Sequence, residues 1–170
     1  MKLKTRDIAV FAVLTALMFG SKKIMELMPN VHLLGMFIVS VTVIYRKYAL
    51  FPIYGYVFLD GLFGGFSSWW LPYLYIWAVL WAFTMLIPKK LPQKIRFPLY
   101  IGVSALHGFL YGTLYAPVQA LMFGLNFKAT VAWIITGLPF DLIHGISNLI
   151  VGLLIPPMII IMQKVRPTER

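Results

Sequence analysis

Six apolar stretches, near 7–28, 33–46, 48–64, 70–88, 98–121 and 129–162, follow one another with only short polar or basic turns between them. A hydrocarbon core about 30 Å thick takes roughly 20 helical residues to cross, and within it every backbone N–H and C=O must be bonded inside the segment. A chain patterned this way has little open to it except a bundle of membrane-spanning helices. Composition agrees: 61% of the 170 residues are apolar and 12% charged, against about 45–50% and ~25% in soluble domains. No linker separates two domains, so residues 1–170 read as one all-α, six-helix transmembrane domain. Only Arg46-Lys47 parts the second stretch from the third. The last exceeds one bilayer thickness and is expected to tilt or to break near Gly137-Leu138-Pro139.

The basic start (Lys2, Lys4, Arg6) and the apolar run behind it lead into Ser21-Lys22-Lys23, with no small-residue cleavage site, so no removable signal is expected. With six spans, both termini, the Arg46 turn and the Lys89–Arg96 loop share one side. Of the 15 basic residues, only Lys22, Lys23 and Lys128 then fall on the other. The positive-inside rule puts both termini in the cytoplasm, and topology accounts for the net charge of +10 without nucleic acid as a partner. The chain has no cysteine, which excludes disulfides, thiol nucleophiles and Cys metal sites. It has no phosphate-binding Gly-Lys-Ser/Thr loop, no dinucleotide glycine pattern and no His-Glu-x-x-His helix. No cofactor or resident metal is expected, and any uphill transport must be driven by a partner or an ion gradient.

Ionisable groups are costly in hydrocarbon, which makes those at membrane depth functional candidates. Asp60 lies about a dozen residues into the third span, roughly 18 Å up from the cytoplasmic side. His107 lies mid-depth on the fifth, with Tyr111 and Tyr115 above it at four-residue steps. Asp141, His144 and Asn148 fall on one face of the sixth. Lys22, Lys23 and Glu26 sit near the outer end of the first. Together they suggest a polar cavity open to the outside and closed below. Plainer roles compete: Asp141 with His144 as a hydrogen-bonded pair pinning the sixth span to the fifth, Asp60 capping the loop at Gly61, and Lys22 with Glu26 as a surface i,i+4 pair. A metal site from Asp141, His144 and His107 is a looser alternative.

The fourth span adds Trp70, Tyr73, Trp77 and Trp81 at helical spacing, with Trp69 and Tyr75 nearby. Trp69 and Trp70 fit an interfacial aromatic belt; Tyr73 and the deeper Trp77 and Trp81 fit a wall on which a flat solute stacks, with lipid packing the alternative for the deeper two. Two outer loops are candidates for closing over a ligand: Met28-Pro29-Asn30-Val31-His32, whose Asn30 and His32 can reach inward, and Phe63-Gly64-Gly65-Phe66-Ser67-Ser68.

Length, six spans, the start Thr5-Arg6-Asp7-Ile8-Ala9, the Ala12-x-x-x-Ala16 spacing and the segment Gly137-Leu138-Pro139-Phe140-Asp141-Leu142-Ile143-His144-Gly145-x-x-Asn148 carry a resemblance over the whole chain. It resembles the substrate-binding S components of energy-coupling factor vitamin transporters. The resemblance implies capture of a micronutrient from outside and association with a transmembrane coupling subunit and two cytoplasmic ATPases. It further implies toppling in the bilayer to release the cargo inward. Ala12 and Ala16 would lie on the surface that docks the coupling subunit, since small residues four apart let another helix come close. A packing pair inside this chain is the alternative.

The family serves several vitamins and transition-metal ions. The start Met1-Lys2-Leu3 lacks the histidine pattern of the nickel and cobalt members, and the riboflavin, thiamine and biotin members differ as well. Cobalamin or a cobamide precursor is the first expectation, pantothenate or pyridoxine the alternatives, in the plasma membrane of a Gram-positive bacterium. Outside the family, the choices are a stand-alone facilitator or channel, a structural subunit, and an intramembrane enzyme using Asp141 and His144; the expectation is that the chain is not an enzyme.

Overall fold

The computed structural model describes residues 5–165. Lys2, Lys4, Arg166 and Arg170, counted above among the cytoplasmic charges, lie outside the described residues. Helices α1 (Thr5–Met25), α2 (Leu34–Tyr45), α3 (Leu50–Gly64), α4 (Tyr73–Leu86), α5 (Gln93–Phe109), α6 (Tyr111–Phe123), α7 (Phe127–Gly152) and α8 (Ile155–Val165) account for most of it, and no strand occurs among the described residues. By length and composition, Thr5–Met25, Phe127–Gly152 and the helical run Leu34–Gly64 could each cross a membrane, the last being divided between α2 and α3; α4 is apolar but shorter.

Local chemistry sets most of the boundaries. Pro72 and Pro92 immediately precede α4 and α5, where a missing N–H costs nothing. Asn126 caps α7 by accepting from the Ala129 N–H at 2.9 Å. Gly124 ends α6 at φ 63°, a left-handed position that glycine takes without a Cβ clash. Between α2 and α3 a 3₁₀ turn spans Arg46–Ala49. Arg46 takes φ 54°, held there by the Trp81 indole N–H on its carbonyl (3.1 Å) and by its own Nη2 on the Met85 carbonyl (3.0 Å). The chain reverses at this turn.

Two of the apolar stretches are each divided. Residues 98–121 are shared between α5 and α6, which meet at Leu110. The final stretch does break, but at Leu153-Leu154 rather than near Gly137-Leu138-Pro139, and α7 runs unbroken through Pro139. One proline forfeits one backbone bond. Pro156 and Pro157 in succession would leave the carbonyls of Gly152 and Leu153 unbonded, so the helix ends and restarts with both prolines in a first turn.

At the centre stands α2, buried on nearly every side by α4, α5, α7, α8 and the 3₁₀ turn, with Ile38, Val39 and Val41 wholly enclosed. A helix apolar all round suits that position. The flank helix α7 is inverted relative to a soluble amphipathic helix: Asp141, His144, Ser147 and Asn148 are buried, while Leu138, Phe140, Ile146 and Ile150 are exposed. Such a surface suits hydrocarbon, not water. α5 and α7 cross where Gly108 meets Gly145. A Cβ on Gly108 would stand 2.8 Å from the Gly145 Cα and from the His144 carbonyl, so the crossing needs a glycine there.

Candidate functional site

A cavity of about 470 Å³ opens at the end of the bundle where α1 finishes and α4 begins, away from Thr5 and from the Arg46 turn. Lys22, Met25 and Glu26 supply one wall from the last turns of α1, and the loop Met28–His32 covers it. Trp69, Tyr73 and Trp77 form the opposite wall; Tyr111 and Tyr115 of α6 and His144 of α7 complete it. The aromatic rings meet edge to face or tilted. Tyr73 and Trp77 lie 5.5 Å apart between centroids at 75°, and His32 stands 4.6 Å from His144 at 88°. Tyr111 lies 4.5 Å from His144 and 5.9 Å from Trp77. Beneath, Tyr56, Met18, Ile38 and Ile76 are fully enclosed and seal the floor.

The charge in the wall is already neutralised. Lys22 Nζ donates to Asp60 Oδ2 while lying 5.5 Å and 5.2 Å from the Trp69 and Tyr73 ring centroids. Asp60 is completely buried, and Tyr56 offers its hydroxyl at 3.5 Å. Glu26 is met by Lys23 at 2.6 Å. Burial holds His32 down to about 4, with His107 and Lys22 adding in the same direction, so the imidazole at the mouth is neutral near pH 7. Three polar atoms in the wall are left without partners: His32 Nδ1, His144 Nε2 and Trp77 Nε1. A buried polar atom left unbonded costs about 1–3 kcal/mol. All three are enclosed, so a hydrogen-bonding ligand reaches them only where these side chains turn toward the cavity they line.

Of the residues expected in the cavity, Lys22, Asn30, His32, Tyr73, Trp77, Tyr111, Tyr115 and His144 line it. Five do not. Lys23 points outward to Glu26, about 100° round the helix from Lys22. Asp60 lies behind Lys22, inside α3 and not at its end, so it neither contacts the cavity nor caps the Gly61 loop. His107 lies behind Trp77 (5.6 Å between rings) and donates from Nε2 to the Ile76 carbonyl at 3.0 Å. Asp141 accepts the Gly112 N–H at 2.8 Å, capping the first turn of α6, and borders a different, apolar hollow beside Phe109 and Leu138. Asn148 donates to the Ser104 carbonyl at 3.1 Å, deep between α7 and α5. The three polar residues of α7 do share a buried face, but successive turns bring them to different partners.

The plainer roles fare unevenly. Lys22 pairs with Asp60 rather than Glu26, no Asp141–His144 bond forms, and no three metal-ligating side chains converge among the described residues. Phe63–Ser68 stays off the cavity, with Phe66 packed on Trp70 at 4.9 Å; the Met28–His32 loop alone of the two covers it. Trp81 is engaged at the far end by Arg46. Trp69, read from sequence as part of a belt, is a wall residue, and its place four residues before Tyr73 and eight before Trp77 is the signal that puts all three on one face. Trp70 instead donates to the Val57 carbonyl at 2.7 Å. Ala12 and Ala16 are both exposed on α1, which speaks against the internal packing alternative. Comparison with family models, with curated proteins and with solved structures finds no match to this chain.

Proposed function

We propose that this chain is the substrate-capturing S component of an energy-coupling factor type transporter. It takes up a vitamin-sized micronutrient at the outer face of a bacterial plasma membrane, and a coupling subunit with two ATPases drives delivery. The observation that carries the reading is the neutral, aromatic, half-satisfied cavity at one end of a sealed apolar bundle. In this reading α1, α2, α3, α4, α5 with α6, and α7 with α8 make six spans with both termini inside. A floor closed by Tyr56 and Met18 favours capture over a pore. The exposed Ala12–Ala16 face suits a docking helix. An intramembrane acid–base enzyme finds no support, because Asp141 is committed to Gly112 and faces away from His144's cavity.

Size and charge narrow the cargo. Drug-sized ligands occupy about 300–1,000 Å³, and a cobamide is several times larger than such a ligand. A cavity of about 470 Å³ favours a one- or two-ring vitamin instead. Flat walls and paired charges favour a planar, uncharged one carrying both a donor and an acceptor. The test is a thermal-shift screen of the detergent-purified chain against vitamins and their precursors. A true ligand at a thousandfold excess over Kd stabilises by about 4 kcal/mol. Robust uphill uptake by the chain alone refutes the S-component reading.

A further inference from the structure

At the opposite end of the bundle from the cavity, a second kind of hollow remains unused by this function. A groove of about 510 Å³ runs along one flank of α1, lined by Val10, Val13, Leu14 and Leu17 and, from α8, by Met158 and Met162, with Arg6 at its end. At 1.5 Å per residue the step from Arg6 to Leu17 covers about 16 Å, close to half of a hydrocarbon core ~30 Å thick. The slot is one leaflet long. Tyr45, packed edge-on against Phe11 at 5.1 Å between centroids, borders this groove and also a smaller hollow of about 320 Å³. Arg46, Lys47 and Lys89 line that second hollow beside Ile44 and Tyr48. No carboxylate lines either one among the described residues. Arg46 is held in place through Trp81 and Met85 and spends only Nη2 on that contact, which leaves guanidinium donors for an anion.

We propose that the α1–α8 groove and the adjoining basic hollow together bind one anionic phospholipid, an acyl chain along α1 and the phosphate among Arg6, Arg46 and Lys47. The apolar slot and the cations at its end match that molecule in length and in charge, whereas an acidic protein partner would leave the slot unfilled. The site lies on the flank of α1 next to the Ala12–Ala16 face, so a helix docking there would touch the bound lipid. The inference rests on the membrane reading but not on the vitamin.

The experiment is native mass spectrometry of the full chain in detergent, titrated with phosphatidylglycerol or with phosphatidylcholine of the same acyl chains. One phosphatidylglycerol per chain is expected, bound at least tenfold more tightly than phosphatidylcholine. Arg46→Gln and Lys47→Gln should each weaken it about fivefold. Val13→Trp, and Leu17→Trp as a second groove-filling change, should abolish retention while the thermal midpoint stays within a few degrees. Equal affinity for the two lipids, full retention in both groove variants, or glycerol phosphate binding as tightly as the lipid overturns the proposal. So does a result in which the charge variants spare lipid binding but block assembly with a coupling subunit. A chain that captures a vitamin without preferring phosphatidylglycerol refutes this inference alone; a chain that binds the lipid as described but no vitamin refutes only the cargo reading.

Discussion

Lys22 and Asp60 form an ion pair across 38 residues of sequence, and the two partners are not equally sheltered: the lysine side chain keeps 19% of its exposure and the aspartate none. Removing one member of a buried pair strands the other, at about 3–5 kcal/mol, whereas replacing both with apolar groups is close to neutral. Lys22→Met strands the enclosed Asp60, whose Oδ1 already lacks a partner, so it should cost the full amount. Asp60→Asn strands a lysine that can still reach water and the Trp69 and Tyr73 faces, contacts worth about 0.5–2 kcal/mol. Its cost should therefore be the smaller. The double variant Lys22→Met with Asp60→Leu should return to within about 1 kcal/mol of the parent.

At about 2–4 °C per kcal/mol for a chain of this size, ligand-free thermal unfolding in detergent resolves the series. Lys22→Met should fall by roughly 10 °C, Asp60→Asn by less, and the double variant should nearly recover. Equal single losses, or a double variant whose loss is the sum of the singles, would refute the pairing as the reason these residues are tolerated at membrane depth.

At the α5–α7 crossing, Gly108→Ala pushes a Cβ to 2.8 Å from backbone and should cost about 1–3 kcal/mol in the same assay. Gly145→Ala sets a Cβ 2.2 Å from the Phe109 ring and 2.4 Å from its Cγ, so the whole side chain must swing away and a comparable cost is expected; a neutral effect at either glycine would refute the crossing geometry. On the proposed function, Ala12→Phe or Ala16→Phe should abolish uptake in the presence of a coupling subunit and ATPases while calorimetric binding to the lone chain is unchanged, and a loss of binding would show that this face is not for docking. His32 is held down to about 4, so below pH 6.5 the unfolded chain takes up a proton that the folded loop refuses. Stability should be level above pH 6.5 and decline from there to about pH 4, and His32→Gln, which removes one of the chain's three histidines, should make that decline shallower; an unchanged slope places the titration elsewhere. Trp77→Phe keeps the ring surface but removes the N–H, and should weaken ligand affinity by about tenfold, a lost hydrogen bond of roughly 1–1.5 kcal/mol.

Periodicity made the helices and the inward face of α7 legible, because Asp141, His144 and Asn148 can share a face in only one kind of element and exposed apolar residues fill the rest of its surface. Depth was another matter. Spacing says that three side chains face the same way, but not which neighbour stands at each height. Gly112 took Asp141, Ser104 took Asn148 and the cavity kept His144. The Lys22–Asp60 pair was hidden for the same reason: a nearer partner at i+4, Glu26, was in view, and only tertiary packing brings α1 against α3. The break before Pro156-Pro157, by contrast, was written in the chain, and a doubled proline outweighs the single Pro139 beside Gly137.

These assignments explain why a chain with so few polar residues buries them in pairs with backbone groups or with one another. Asp141 fixes where α6 begins, and with it the rings of Tyr111 and Tyr115; Asn148 ties α7 to α5 below the cavity; Asp60 holds Lys22 against Trp69 and Tyr73. Each polar group so engaged sets the position of a wall; Asp60, Asn148 and Asp141 each keep one unpartnered oxygen, but none of the three lines the cavity. The unpartnered nitrogens of His32, Trp77 and His144 are the complement of that arrangement. Because the positioning groups act through other residues, conservative changes should separate the two sets. Asp141→Asn keeps an acceptor for the Gly112 N–H and should leave affinity within about threefold of the parent, whereas Asp141→Leu removes the cap and loosens α6, with a cap's loss of about 0.5–2 kcal/mol. His144→Leu, which cannot restore the missing contact, should lower affinity at unchanged thermal midpoint. If Asp141→Asn proves as damaging to binding as His144→Leu, the carboxylate reaches the ligand, and the division between wall-setting and ligand-facing residues fails.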